Sequence, residues 1–87
     1  MQLICHYDVS DFARWRSAFD KDAGSRREAG LTVLQVWRDA DDPGHAITLM
    51  SVNDRDRAKA WLARSDALSS DDGGTVTATR AYFVETE

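Results

Sequence analysis

The sequence is poor in cysteine and proline, with one of each in 87 residues, and no apolar run approaches the length of a membrane-spanning helix. A lone Cys5 rules out an intramolecular disulfide and fits a reducing compartment, and its place in an apolar stretch reads as a buried small side chain. Positive charge is also in deficit: 11 Lys and Arg stand against 15 Asp and Glu, a net charge of -4, so nothing draws the chain to a phosphate backbone and nucleic acid is not an expected partner. No basic stretch precedes an apolar core and a cleavage site, so the expected location is the cytoplasm, away from membranes. The spacings GxGxxG, GxxxxGK, GxSxG, HExxH and CxxC are all missing, which removes support for nucleotide, zinc and nucleophilic-serine chemistry. Of only two histidines, His6 belongs to an early strand and His45 to a later loop, so they are expected far apart, with no metal site and no bound cofactor.

What is present alternates in period. Residues 2–8 (QLICHYD) read as a strand; Ser10 or Asp11 then caps a helix running to about Ala29 and closed by Gly30, with Phe12, Trp15, Phe19 and Ala23 on one face. Residues 31–38 (LTVLQVWR) and 46–52 (AITLMSV) form a hairpin around DADDPGH, whose aspartates lack the terminal glutamate and the length of a calcium loop and read as a solvated turn. Asn53 or Asp54 caps a second helix to about Arg64 with Ala58, Trp61 and Leu62 as its apolar stripe. Residues 65–75 read as a loop and 76–85 (VTATRAYFVE) as the last strand. The order βαββαβ predicts one α+β domain over residues 1–87, ferredoxin-like, with a four-stranded antiparallel sheet and both helices on one face.

The second sheet face poses a packing problem. Simple alternation puts Leu31, Val33, Gln35 and Trp37 on one side and Thr32, Leu34, Val36 and Arg38 on the other, while Ile47 and Leu49 oppose Ala46, Met50 and Val52. Neither face is cleanly polar, as a half-solvated antiparallel sheet requires. With no residues left to build another layer, a second copy of the chain is the expected cover, through an isologous homodimer.

The segments VSDFARWR (9–16), RREAG (26–30), VWRDADDP (36–43) and YFVE (82–85) give the chain a resemblance to the dimeric α+β barrel superfamily, and within it to small bacterial cyclase-like and antibiotic-biosynthesis-monooxygenase-like proteins. The stretch 71–79 departs from those relatives, which tend to place Gly-Val and a proline before the last strand. The resemblance implies a site in a cleft between sheet and helices, and the candidates for it are His6, Trp15, Arg26, Trp37 and Tyr82. His6 is the candidate catalytic base, since its ordinary pKa lies near neutrality; an interface or hydrogen-bonded histidine is the plainer alternative. Arg26 falls between Trp15 and Phe19 on the helical wheel, where an apolar residue would be usual, and either pairs with Asp22 one turn earlier or turns its planar fork toward a carboxylate or enolate. Trp15, Trp37 and Tyr82 are candidate flanks for a flat ligand, with core packing the competing role for the tryptophans.

Two functional expectations follow. One is a cofactor-independent monooxygenase or cyclase acting on a small planar or aromatic metabolite, the protein supplying shape, dryness and one acid-base group. The other is a non-catalytic dimer that binds a small molecule or scaffolds a partner, which the absence of a paired catalytic constellation favours.

Overall fold

The computed structural model describes residues 1–69 and 75–87. Its elements run β1 (Gln2–Val9), α1 (Phe12–Lys21), α2 (Ala23–Glu28), β2 (Leu31–Arg38), β3 (His45–Val52), α3 (Arg55–Ser69) and β4 (Val76–Val84). The strands form one antiparallel sheet in the order β2-β3-β1-β4. β3 therefore lies between β1 and β2, the split βαβ arrangement expected of a ferredoxin-like α+β fold.

Local chemistry accounts for the ends of the helices. Asp11 takes extended backbone angles and its carboxylate accepts the Arg14 amide at 3.1 Å, while Asp54 accepts the Arg57 amide at 3.1 Å. Gly30 closes the first helical segment at φ 73, and a Cβ there would also crowd the Asp54 nitrogen at 3.3 Å. The single helix expected to run to Ala29 is instead two. At Asp22 the amide turns to the Phe19 carbonyl, a tighter bond that ends α1, and the Asp22 carbonyl starts α2 by accepting from Arg26 at 3.3 Å. Gly24 and Ser25, weak helix formers, stand just beyond the break. The second long helix continues to Ser69 instead of stopping near Arg64, and the remainder of the expected loop, 70–74, lies outside the described residues.

The two strands of the hairpin do not alternate in step. Val33 pairs with Met50 and Gln35 with Leu49, so Leu34 is an extra residue on β2, a bulge that reverses the phase of the strand beyond it. Leu31, Val33, Val36 and Arg38 consequently share the face of Ala46, Thr48 and Met50, whereas Thr32, Gln35 and Trp37 share the face of Ile47 and Leu49. Strict alternation had put Trp37 with Leu31 and Val33; the bulge moves it to the opposite face.

The core lies between one sheet face and the helices. Leu3, Cys5, Tyr7, Ala46 and Met50 from the sheet meet Trp15, Phe19, Ala29, Ala58 and Trp61 from above. Trp15 is the hub, its ring centroid 5.2 Å from Tyr7, 5.4 Å from Phe12 and 5.1 Å from Phe19. In a chain of this size such an anchor carries a large share of the marginal stability. Trp15→Ala is expected to cost about 3 to 5 kcal/mol, read as a drop in the urea midpoint; an unchanged midpoint would show that the indole does not anchor this core.

Candidate functional site

The sheet divides the five candidate residues between two sites. Trp15 and Arg26 lie on the helix side, while His6, Trp37 and Tyr82 stand on the open side, as their register partners Ile47 and Ile4 require. The structure does not bring the five together in one cleft.

On the helix side, Arg26 is only 4% exposed, and its guanidinium carbon sits 3.7 Å from the centre of the Phe19 ring. Among the described residues it closes no ion pair with Asp22, which acts on it only through space. Burial lowers its pKa from the ordinary arginine value, and Asp22, Tyr7 and Asp20 pull it back up, so the guanidinium remains a cation. Beneath it Tyr7 is buried and pushed well above the usual phenol pKa, first by desolvation and then by the neighbouring Cys5 thiol, so it stays protonated. The Thr48 hydroxyl, through a hydrogen bond to the phenol, and Arg26, through its charge, act in the opposite direction.

Arg26 Nε is buried without a hydrogen-bond partner, and Thr48 Oγ1 has none beyond its loose contact with the Tyr7 phenol. Leaving such a group unpaired in a core costs about 1 to 3 kcal/mol, so this seam is expensive as it stands. Its groups are donors: a guanidinium N–H, a phenol locked in its protonated form, and a hydroxyl. They suit an oxygen that carries negative charge. His6 is on the other side of the sheet, and the carboxylates that act on Arg26, Asp22 and Asp20, are exposed residues.

On the open side, His6 and His45 are neighbours, contrary to the expectation that the loop would keep them apart. β3 begins at His45, which pairs with Asp8, so His45 is diagonal to His6 across the sheet. His6 Nδ1 and His45 Nε2 are 2.9 Å apart, and His45 Nδ1 is 2.9 Å from Asp39 Oδ2. The two imidazoles lie within 17° of coplanar with centroids 5.1 Å apart, the distance expected when rings meet edge to edge through one hydrogen bond. The direction of the chain follows from its anchor. An ionised Asp39 can only accept, so His45 Nδ1 donates; in neutral His45 the Nε2 lone pair then accepts from His6 Nδ1–H, leaving His6 Nε2 as the acceptor end. Asp39 suits the role, because the hydrogen bond from His45, joined by the Asp41 amide, holds its carboxyl below the usual carboxylate pKa.

His45 and Asp39 were not candidates from the sequence, where DADDPGH reads as a solvated turn. It is an ordered turn. Asp42 accepts the Gly44 amide at 2.9 Å, and the Gly44 carbonyl accepts the Val9 amide at 2.7 Å, which docks the loop against β1. The available signal was the placement of His45 at the mouth of a strand facing β1, visible only once the strand order is known.

Around this relay the open face carries an apolar patch. Trp37 and Tyr82 are 42% and 50% exposed, with Ile4, Ile47 and Leu49 between them and Thr32, Gln35 and Ser51 at its edge; the bulged Leu34 is 48% exposed. The Tyr82 ring meets His6 edge-on at 6.0 Å. Burial lowers the His6 pKa from its ordinary value, His45 and Arg80 lower it further, and Asp8 partly offsets them. The folded chain thus holds this proton less tightly than the unfolded chain, so the His6 contribution makes stability fall as pH drops below about 6.5. A proton NMR titration is expected to put the His6 midpoint below 6.5 and to move it back upward in His45→Gln; a midpoint above 6.5 in the intact chain would contradict this electrostatic account.

No protein-family model matches the chain. No characterised protein matches it in sequence either. Solved structures do resemble it. An uncharacterised NIPSNAP domain protein from Burkholderia xenovorans superposes with a TM-score of 0.68 at 8% identity, covering 100% of this chain and 95% of that one. An antibiotic biosynthesis monooxygenase gives 0.67 at 15% identity, covering 99% and 97%. A chain assigned to the same group from Deinococcus radiodurans gives 0.61 at 18% identity, covering 100% and 95%. At these identities the likeness is one of fold, over essentially the full length of each chain. The chain has the ferredoxin-like α+β fold shared by antibiotic-biosynthesis-monooxygenase-like and NIPSNAP structures.

Proposed function

We propose that this protein is a homodimer that binds a small planar molecule with an acidic oxygen, a phenol or an enol, in the seam between helices and sheet, and acts on it as a cofactor-independent monooxygenase or cyclase. The observation that carries this reading is the buried, unpartnered Arg26 Nε beside the protonated Tyr7 and the Thr48 hydroxyl. An oxyanion placed there would satisfy Nε and meet a cation in a dry site, where such contacts count most. Trp15 and Phe19 supply the aromatic wall.

Donors without a base restrict the substrate to molecules that ionise once their oxygen is hydrogen-bonded. In the oxygenase form a phenolate carbon is attacked by molecular oxygen; one oxygen atom is retained as a quinone carbonyl and the other leaves as water with the two hydrogens of the phenol. Phenol plus O2 then balances as quinone plus water, the substrate supplying every electron. Fold likeness to antibiotic biosynthesis monooxygenases supports this class.

The dimer rests on the open face. Four strands of eight or nine residues present a surface about 26 Å by 19 Å, roughly 500 Å² in projection and more once side-chain relief is counted. That approaches the roughly 800 Å² each partner gives to a standard interface. A second reading, a binding or scaffolding dimer without turnover, is favoured by one feature: Trp15 and Phe19 already fill much of the seam and are both buried.

Thermal shift and oxygen-uptake measurements with a panel of acidic phenols and 1,3-dicarbonyl compounds test the reading. Binding with oxygen consumption or ring closure is expected; binding without turnover selects the second reading, and no binding by any member rejects the seam as a ligand site. Arg26→Met is expected to weaken binding by about 2 kcal/mol or more while the fold survives. Sedimentation is expected to show a dimer at micromolar concentration, reduced to monomer by Trp37→Glu; a monomeric parent chain rejects the dimer.

A further inference from the structure

We infer that the Asp39–His45–His6 chain is a proton-sensitive element of the open sheet face that makes pairing with a second copy of the chain weaken in acid. The inference rests on the homodimer proposed above and adds what controls it.

His6 occupies the middle strand β1, in the row that runs Trp37, Ile47, His6, Arg80 across the sheet, so a copy laid over the apolar face covers it. The groups that face it are Asp8 on its own strand, His45 backed by Asp39 on the β3 side, and Arg80 and Tyr82 on β4; Trp37 on β2 contributes no charge. Neutral, the chain is internally satisfied, each N–H meeting an acceptor from His6 to Asp39. It presents only the His6 Nε2 lone pair to the incoming surface. That single acceptor needs one donor.

Protonation at Nε2 changes the situation. His6 becomes a cation beside Arg80, with its positive charge under a layer of Leu34, Trp37, Tyr82, Ile47 and Leu49 from each copy. Asp39 offsets part of the charge through His45, so the relay lets the face accept a proton when open and penalises it when covered. The monomer therefore binds the proton more tightly than the dimer, and acid draws the equilibrium toward monomer.

Sedimentation equilibrium between pH 7.5 and 5.5, with circular dichroism at each pH to follow the fold, tests this. The dissociation constant is expected to rise by about tenfold or more as pH falls, with a limit of about 100-fold per pH unit for one proton on each of two copies. His6→Gln is expected to flatten the profile while keeping the dimer. Asp39→Asn, which removes the charge that supports the relay's proton, is expected to shift the transition to lower pH. A dimer whose pH profile is the same with and without His6 overturns this inference alone; a chain that is monomeric at every pH overturns the dimer and this inference together.

Discussion

A four-stranded sheet has two faces, and this chain has helix enough to cover one. Everything else in the molecule is arranged around that shortage. Trp15, Phe19, Ala58 and Trp61 close the inner face, and the helices that carry them end at polar caps that satisfy their own amides. The outer face keeps Ile4, Ile47, Leu49, Trp37 and Tyr82 as an apolar patch flanked by Thr32, Gln35 and Ser51.

The same division separates the chemistry. The inner seam holds the Arg26 guanidinium and no imidazole; the outer face holds the histidine relay with Arg80 beside it. A reading that needs both a base and an oxyanion clamp in one site would have to pass a proton through the sheet, and the strand pairing leaves no route for one: Tyr7 and His6 are adjacent in sequence yet point to opposite faces. The relay must answer to whatever lies on the other side.

How far the residues alone disclosed this follows from how local each signal is. The caps, legible as Ser10 or Asp11 and as Asn53 or Asp54, and the stop at Gly30 depend on a few neighbouring residues, and all four strands were legible to within a residue at each end. The βαββαβ order was legible because period-2 and period-3.6 stretches alternate clearly. The burial of Arg26 was legible too, as a charge standing in an apolar stripe. The bulge at Leu34 was not, because a two-against-one count exists only relative to the partner strand, and nothing in LTVLQVWR differs from a straight strand of the same composition. That one residue put Trp37 on the wrong side of the sheet. The break at Asp22 escaped for a related reason, since Gly24 and Ser25 only weaken a helix and do not forbid one.

His45 shows a different limit. A turn rich in aspartate carries a strong and correct signal for a turn, and that signal hides any further use of its side chains. Asp39 and Asp42 both serve the loop: one accepts the Asp41 amide, the other the Gly44 amide. Asp39 still has its second oxygen free for His45. A carboxylate has about four acceptor directions and a tight turn uses one or two of them, so a loop aspartate two or more residues from a strand that begins with histidine can orient an imidazole at no cost to the turn. The His45 ring is held from Nδ1 by the loop and delivered by β3 to His6, so with His45 neutral the turn sets the direction of its hydrogen bond to His6. The ordered hairpin loop, docked on Val9 through Gly44, is what makes that assignment rigid.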